Sequence, residues 1–216
     1  MTMAVMFLVA PLMLRTLSAA PETSEPEMAN NSDLYQAGRW EFSLESAYTF
    51  HVVSNPFHSL VAGHLLTPNP IHYHLATQLL AVRYRVTNAA GSWFLRGSLE
   101  SSATIVGTAI VSGPEDYFAG LALGLRYDFV QAGARLVPFI ELRGGPGVTD
   151  SRGGLYAQQQ DLVFTYLFSA GVRYDLSRRW SVTLGALDQH LSNAYLAPRN
   201  YGFDSLGVTL GAFAHF

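Results

Sequence analysis

The chain has 216 residues, 49% of them hydrophobic and 13% charged, with a formal net charge of −3, which describes a single domain with ample apolar surface. Lysine is absent and the arginines are dispersed along the chain, so the clustered cationic groove of a nucleic-acid-binding protein is excluded. Cysteine is absent, which removes disulfides and thiol chemistry.

Residues 1–20 read as a secretory signal peptide, with an apolar run from Ala4 to Leu14 and then Ser18, Ala19 and Ala20 before the cleavage point. No basic residue precedes Arg15, but the run is well short of the ~18 residues a spanning helix needs. Residues 21–38, polar and acidic with Pro21, Glu22, Glu25, Glu27 and Asp33, read as a flexible tail, and structure is expected from Arg39 onward.

From there to residue 216 a period of two recurs. The first strand sets Trp40, Phe42, Leu44, Tyr48 and Phe50 against Glu41, Ser43, Glu45, Thr49 and His51. After a long loop containing Pro56, Pro68 and Pro70, the second ends with Leu80, Val82, Tyr84 and Val86 against Arg83, Arg85 and Thr87. A turn at Asn88 to Gly91 leads to a third, where Trp93, Leu95, Leu99, Ala103 and Ile105 oppose Arg96, Ser98, Glu100, Ser102 and Thr104. The fourth pairs Tyr117, Leu121, Leu123, Leu125 and Tyr127 with Gly120, Ala122, Gly124, Arg126 and Asp128. The fifth is shorter, Pro138, Ile140 and Leu142 against Phe139, Glu141 and Arg143, and Gly144 to Gly147 reads as its end turning into a loop. The sixth sets Leu162, Phe164, Tyr166, Phe168, Val172 and Tyr174 against Thr165, Ser169, Gly171, Arg173 and Asp175. A hairpin from Trp180 to Phe216 supplies two more, making eight.

Alternation alone does not separate a soluble sandwich from a membrane barrel; three further features do. The strands run to about ten residues or more, longer than the ~5 to 6 usual in globular sheets and suited to a tilted crossing. Aromatics of the apolar parity sit at one level, with Trp40, Trp93 and Trp180 opening rising strands and Tyr84, Tyr127, Tyr174 and Phe216 closing falling ones, as in an interfacial girdle. Short connections (88–91, 131–134, 177–179) alternate with long ones (52–70, 106–116, 146–160). The fold class is therefore all-β: an eight-stranded antiparallel transmembrane β-barrel over residues 39–216. Inward Glu41, Glu45, Arg83, Arg96, Glu100, Arg126, Glu141, Arg143 and Arg173 mix both signs, which predicts a salt-bridged plug rather than a channel.

The last hairpin carries the chemistry. His190 and Ser192 lie two apart on one strand, so both emerge on the apolar, outward face with Cα atoms roughly 6.5 Å apart. A simple register puts Asp204 opposite His190 on the next strand. His190 could take the Ser192 proton, Asp204 could hold the other ring nitrogen, and Asn193 is the nearest group to stabilise an oxyanion. Asp188 shares the outward parity and is an alternative acid. The bland reading of His190-Leu191-Ser192-Asn193 is the polar lip of a barrel strand. The histidines at 58, 64, 72 and 74 have no carboxylate at ligand spacing, so no metal site is predicted.

His190-Leu191-Ser192-Asn193-Ala194, followed by Asn200-Tyr201-Gly202-Phe203-Asp204, resembles the signature of the PagL-type lipid A 3-O-deacylases, a family of outer-membrane barrels. The terminal Phe216 likewise resembles the closing aromatic of bacterial outer-membrane barrels. The resemblance implies Ser192 as nucleophile, His190 as base, Asp204 as acid and Asn193 as oxyanion contributor. It also implies lipid A as substrate, a 3-hydroxy fatty acid as product, no cofactor, and an outer-membrane location as monomer or homodimer. The acid here is Asp where a member of that family has Glu, one methylene longer, and Tyr195 and Tyr201 stand where small or turn-forming residues are expected. The contrasting expectation is a non-enzymatic small barrel serving adhesion or envelope stability.

Overall fold

In the computed structural model the alternation closes on itself as eight antiparallel strands, each paired with its sequence neighbours and the first with the last. They are β1 (Trp40–Val52), β2 (His74–Arg85), β3 (Ser98–Ser112), β4 (Tyr117–Asp128), β5 (Leu136–Thr149), β6 (Leu162–Asp175), β7 (Trp180–Ser192) and β8 (Phe203–His215). The structure describes residues 31–52, 71–151, 159–198, 200 and 202–216. The signal segment, residues 21–30 of the tail, Tyr201 and most of the first long loop, with His58 and His64, lie outside the described residues.

The outer wall is a belt of exposed Leu, Val, Ile and Phe, which only a lipid-facing surface can carry at this density. The aromatic girdle closes its lower rim: Trp40 packs on Tyr84 with ring centroids 5.0 Å apart, and Phe42 meets the terminal Phe216 edge-on at 5.5 Å. The lumen has two layers. In the lower one Arg83 bonds Glu45, Glu100 and Glu141 at 2.8, 2.9 and 3.0 Å. One level further down, Arg85 bonds Glu41, Glu100 and Asp128 at 2.8, 2.8 and 2.9 Å. Phe213 lies at the axis with the guanidinium carbons of Arg83, Arg126 and Arg173 each 5.0 Å from its ring centroid, adding cation–π contacts to the ion pairs. Above this layer the lumen turns apolar, with Leu75, Leu79, Val106, Leu167, Leu187 and Leu191 forming one cluster. The interior is thus filled by side chains, as an eight-stranded circumference requires.

Four expectations need correction. Trp93 does not open β3: it lies in a 3-10 turn at Trp93–Leu95 with φ 51°, and the strand starts at Ser98. Arg96 consequently stays outside the lumen network and donates to the Val130 carbonyl. The stretch 106–116 is not a long loop, because β3 runs on to Ser112 and only 113–116 turn back into β4. Nor is β5 short: Gly144 to Gly147 lie within it. Gly145 is needed there because a Cβ would fall 2.0 Å from the Leu121 carbonyl oxygen, so β4 and β5 approach more closely than side chains permit. Finally, residues 31–38 are not a loose tail. Tyr35 is buried beneath the charged layer, donating to Asp175 at 3.0 Å under the Arg85 guanidinium, 4.6 Å from its ring centroid. Asn31 anchors this plug through bonds to the Gln131 and Ala134 carbonyls.

Candidate active site

The lower outward positions of β7 behave as lipid-facing residues should: Val182 is 39% and Leu184 52% exposed. Two positions of the same parity further up do not. Asp188 and His190 are 4% and 6% exposed, as is Asp204 at 4% across the hairpin. Polar groups on the lipid side of a barrel are costly unless satisfied, and the hairpin register supplies the means. His190 pairs with Asp204 between strands, and His190 Nδ1 lies 2.8 Å from Asp204 Oδ1. A carboxylate at Nδ1 keeps the ring proton there and leaves Nε2 as an acceptor.

The turn after β7 completes the surroundings. Asn193 is buried; its Oδ1 accepts from the Tyr195 backbone N–H at 2.9 Å, and its own backbone N–H donates to Asn200 Oδ1 at 3.1 Å. This Asx-type turn carries Ala194 and Tyr195 at φ 50° and 60° and sends the chain back toward β8. On the return Gly202 passes between the two key side chains: a Cβ there would lie 3.0 Å from His190 Cε1 and 3.1 Å from Ser192 Cβ. Any larger residue there would press on both side chains. Ser192, half-buried at the end of β7, is thereby held beside the imidazole, although among the described residues no hydrogen bond joins its hydroxyl to His190.

Four of the five residues singled out in sequence, His190, Ser192, Asn193 and Asp204, meet at this one corner. Asp188 lies two residues lower on β7, opposite Phe168 and Leu206, and the bond to His190 Nδ1 comes from Asp204. Three residues gain a role here that the sequence reading did not give them. Tyr166 stacks on His190 with centroids 4.9 Å apart and planes inclined by 17°, Thr165 Oγ1 donates to the His190 carbonyl at 2.9 Å, and Asn200 fixes Asn193. The tight turn between β6 and β7 sets the register that puts Tyr166 opposite His190, so pairing outward from that turn could have found it.

A sequence model of the lipid A 3-O-deacylase (PagL) family matches residues 77–213, more than half of the chain and all of the corner just described. The chain belongs to this family. Two solved structures share its fold. One is the outer membrane enzyme PagL, 20% identical with a TM-score of 0.51, the match covering 78% of this chain and 97% of that one. The other is Neisserial surface protein A (NspA), 13% identical with a TM-score of 0.50, covering 83% and 98%. No curated protein sequence matches the chain. As a PagL-family barrel with this lipid-facing belt, the protein resides in the outer membrane, and the β7–β8 corner is at the end of the barrel opposite the Trp40–Phe216 rim.

Proposed function

We propose that the protein is an esterase of the outer membrane that hydrolyses the 3-O-linked acyl chain of lipid A. Ser192 is the nucleophile, His190 the general base and Asp204 the orienting acid. His190 Nε2 takes the Ser192 proton as Oγ attacks the ester carbonyl, and Asp204 stabilises the imidazolium that forms. The oxyanion is met by Asn193, which its turn holds beside Ser192. On collapse His190 returns the proton to the departing sugar oxygen, leaving an acyl-serine. Water activated by the same imidazole then releases the 3-hydroxy fatty acid and restores Ser192. No metal or cofactor has a part in these steps.

The observation that carries this reading is the His190–Asp204 pair, buried on a barrel face whose neighbouring positions point into lipid. The scissile ester of a membrane lipid can reach that face without leaving the bilayer. The likeness to a surface protein such as NspA favours a second reading, a barrel with no chemistry. Mass spectrometry of lipid A separates the two. Cells producing the protein should show lipid A lighter by one 3-hydroxyacyl chain, and cells producing Ser192→Ala should not. Unaltered lipid A in both would leave the surface-protein reading standing.

A further inference from the structure

Asp204 is the second residue of β8, and strand ends are where backbone order is lost first. Asp204 is laddered to His190 on one side and Val52 on the other, and packing at the open end of the strand adds an anchor to that ladder. The anchor is the preceding residue. Phe203 has the opposite parity, points into the lumen, and stacks face to face on Tyr73 with centroids 3.6 Å apart and planes inclined by 8°. Tyr73 is fully buried, and its hydroxyl donates to Glu115 Oε2 at 2.8 Å. Its carbonyl accepts the His51 N–H at 2.8 Å, tying the entry of β2 to the end of β1. Gly113 packs close to the ring: a Cβ there would lie 2.7 Å from Tyr73 Cδ1, and its φ of 151° suits glycine. The corners of β1–β2, β3–β4 and β7–β8 thus converge on one aromatic pair directly behind the acid.

We infer that Tyr73, held by Glu115, is a positioning residue that acts through Phe203 to keep Asp204 in register with His190. The inference rests on the esterase reading of the site for its effect on turnover, and on the structure alone for its effect on the His190–Asp204 bond. Burial and the adjacent Glu115 carboxylate push the Tyr73 phenol well above the usual tyrosine range, so it stays a donor at any working pH. Tyr73→Leu removes the stacking face while keeping an apolar side chain in the lumen; Tyr73→Phe keeps the face and loses only the donor.

The test uses the full barrel, with heat-modifiable mobility reporting folding, and two readouts. The first is the low-field proton resonance of a carboxylate-bonded imidazole N–H, assigned to His190 by its loss in His190→Gln. It should be present in wild type and Tyr73→Phe and absent or exchange-broadened in Tyr73→Leu and Asp204→Asn. The second is lipid A turnover. Tyr73→Leu should lower kcat by up to about 10²-fold with KM little changed, and Tyr73→Phe by about threefold. Adding Tyr73→Leu to Asp204→Asn should cost no further activity, since both remove the same bond. An unchanged His190 resonance in folded Tyr73→Leu would overturn the inference, as would a full additional loss in the double variant. If the folded wild-type barrel shows no lipid A turnover, the esterase reading fails while the resonance still decides whether Tyr73 holds the acid.

Discussion

The barrel buries ionisable groups in two places by opposite means. In the lower lumen five arginines interlock with Glu41, Glu45, Glu100, Asp128, Glu141 and Asp175, so each charge has several partners and the layer is close to neutral. On the outer face His190 bonds Asp204, with Tyr166 stacked on the imidazole and the Gly202 backbone close by, beside Ser192. The first arrangement leaves nothing to react and holds the wall together. The second holds a base beside a hydroxyl, on the side where lipid is. Burial of polar groups is thus no mark of function by itself; the medium each group faces decides.

The contrast breaks most visibly at the outer corner. Folded Asp204→Asn should lose turnover by up to about 10⁴-fold, whereas Asp188→Asn should stay within a few-fold and Asp204→Glu, which keeps a carboxylate opposite His190, should keep or improve activity. Deacylation by the three variants measures this, and a loss confined to Asp188→Asn would move the role to Asp188. The lumen should respond in stability instead. Arg83→Met takes one arginine partner from each of three buried carboxylates, Glu45, Glu100 and Glu141, and should cost about 3 to 5 kcal/mol, read as a lower urea midpoint, with the turnover of the folded fraction within about twofold of wild type. At the lower end, planar-bilayer recordings should show no steady conductance, because the charged layer and the Tyr35 plug fill the bore. The smallest change is Tyr35→Phe, which removes one hydrogen bond to Asp175 and should lower stability by about 1 kcal/mol, again by urea titration.

Much of this was legible from the alternation of residues, and what was not follows a pattern. Parity tells which face a side chain takes, so the lumen charges and the outward His190, Ser192 and Asp204 could be placed in advance, and the hairpin register put 190 opposite 204 as observed. Parity does not tell where a strand stops. Trp93 continues the alternation yet sits in a turn, while Gly144 to Gly147 look like a break yet lie within β5, because close contact with β4 requires glycine there. Contacts made by loops were equally silent. Tyr35 looked like part of a polar tail because its partners, Asp175 and Arg85, are distant in sequence. Tyr166 read as one more lipid-facing aromatic until the β6–β7 register set it against the imidazole.

The central claim is that the outward corner makes a nucleophile of Ser192. A fluorophosphonate with a long acyl-like tail, added to the folded barrel in detergent micelles and followed by peptide mass spectrometry, tests it directly, because such a reagent bonds only to an activated hydroxyl. A single phosphonyl adduct on Ser192 is expected, present in the wild-type barrel and lost in His190→Ala. No adduct on Ser192 in the folded wild-type protein, or equal labelling without His190, would contradict it.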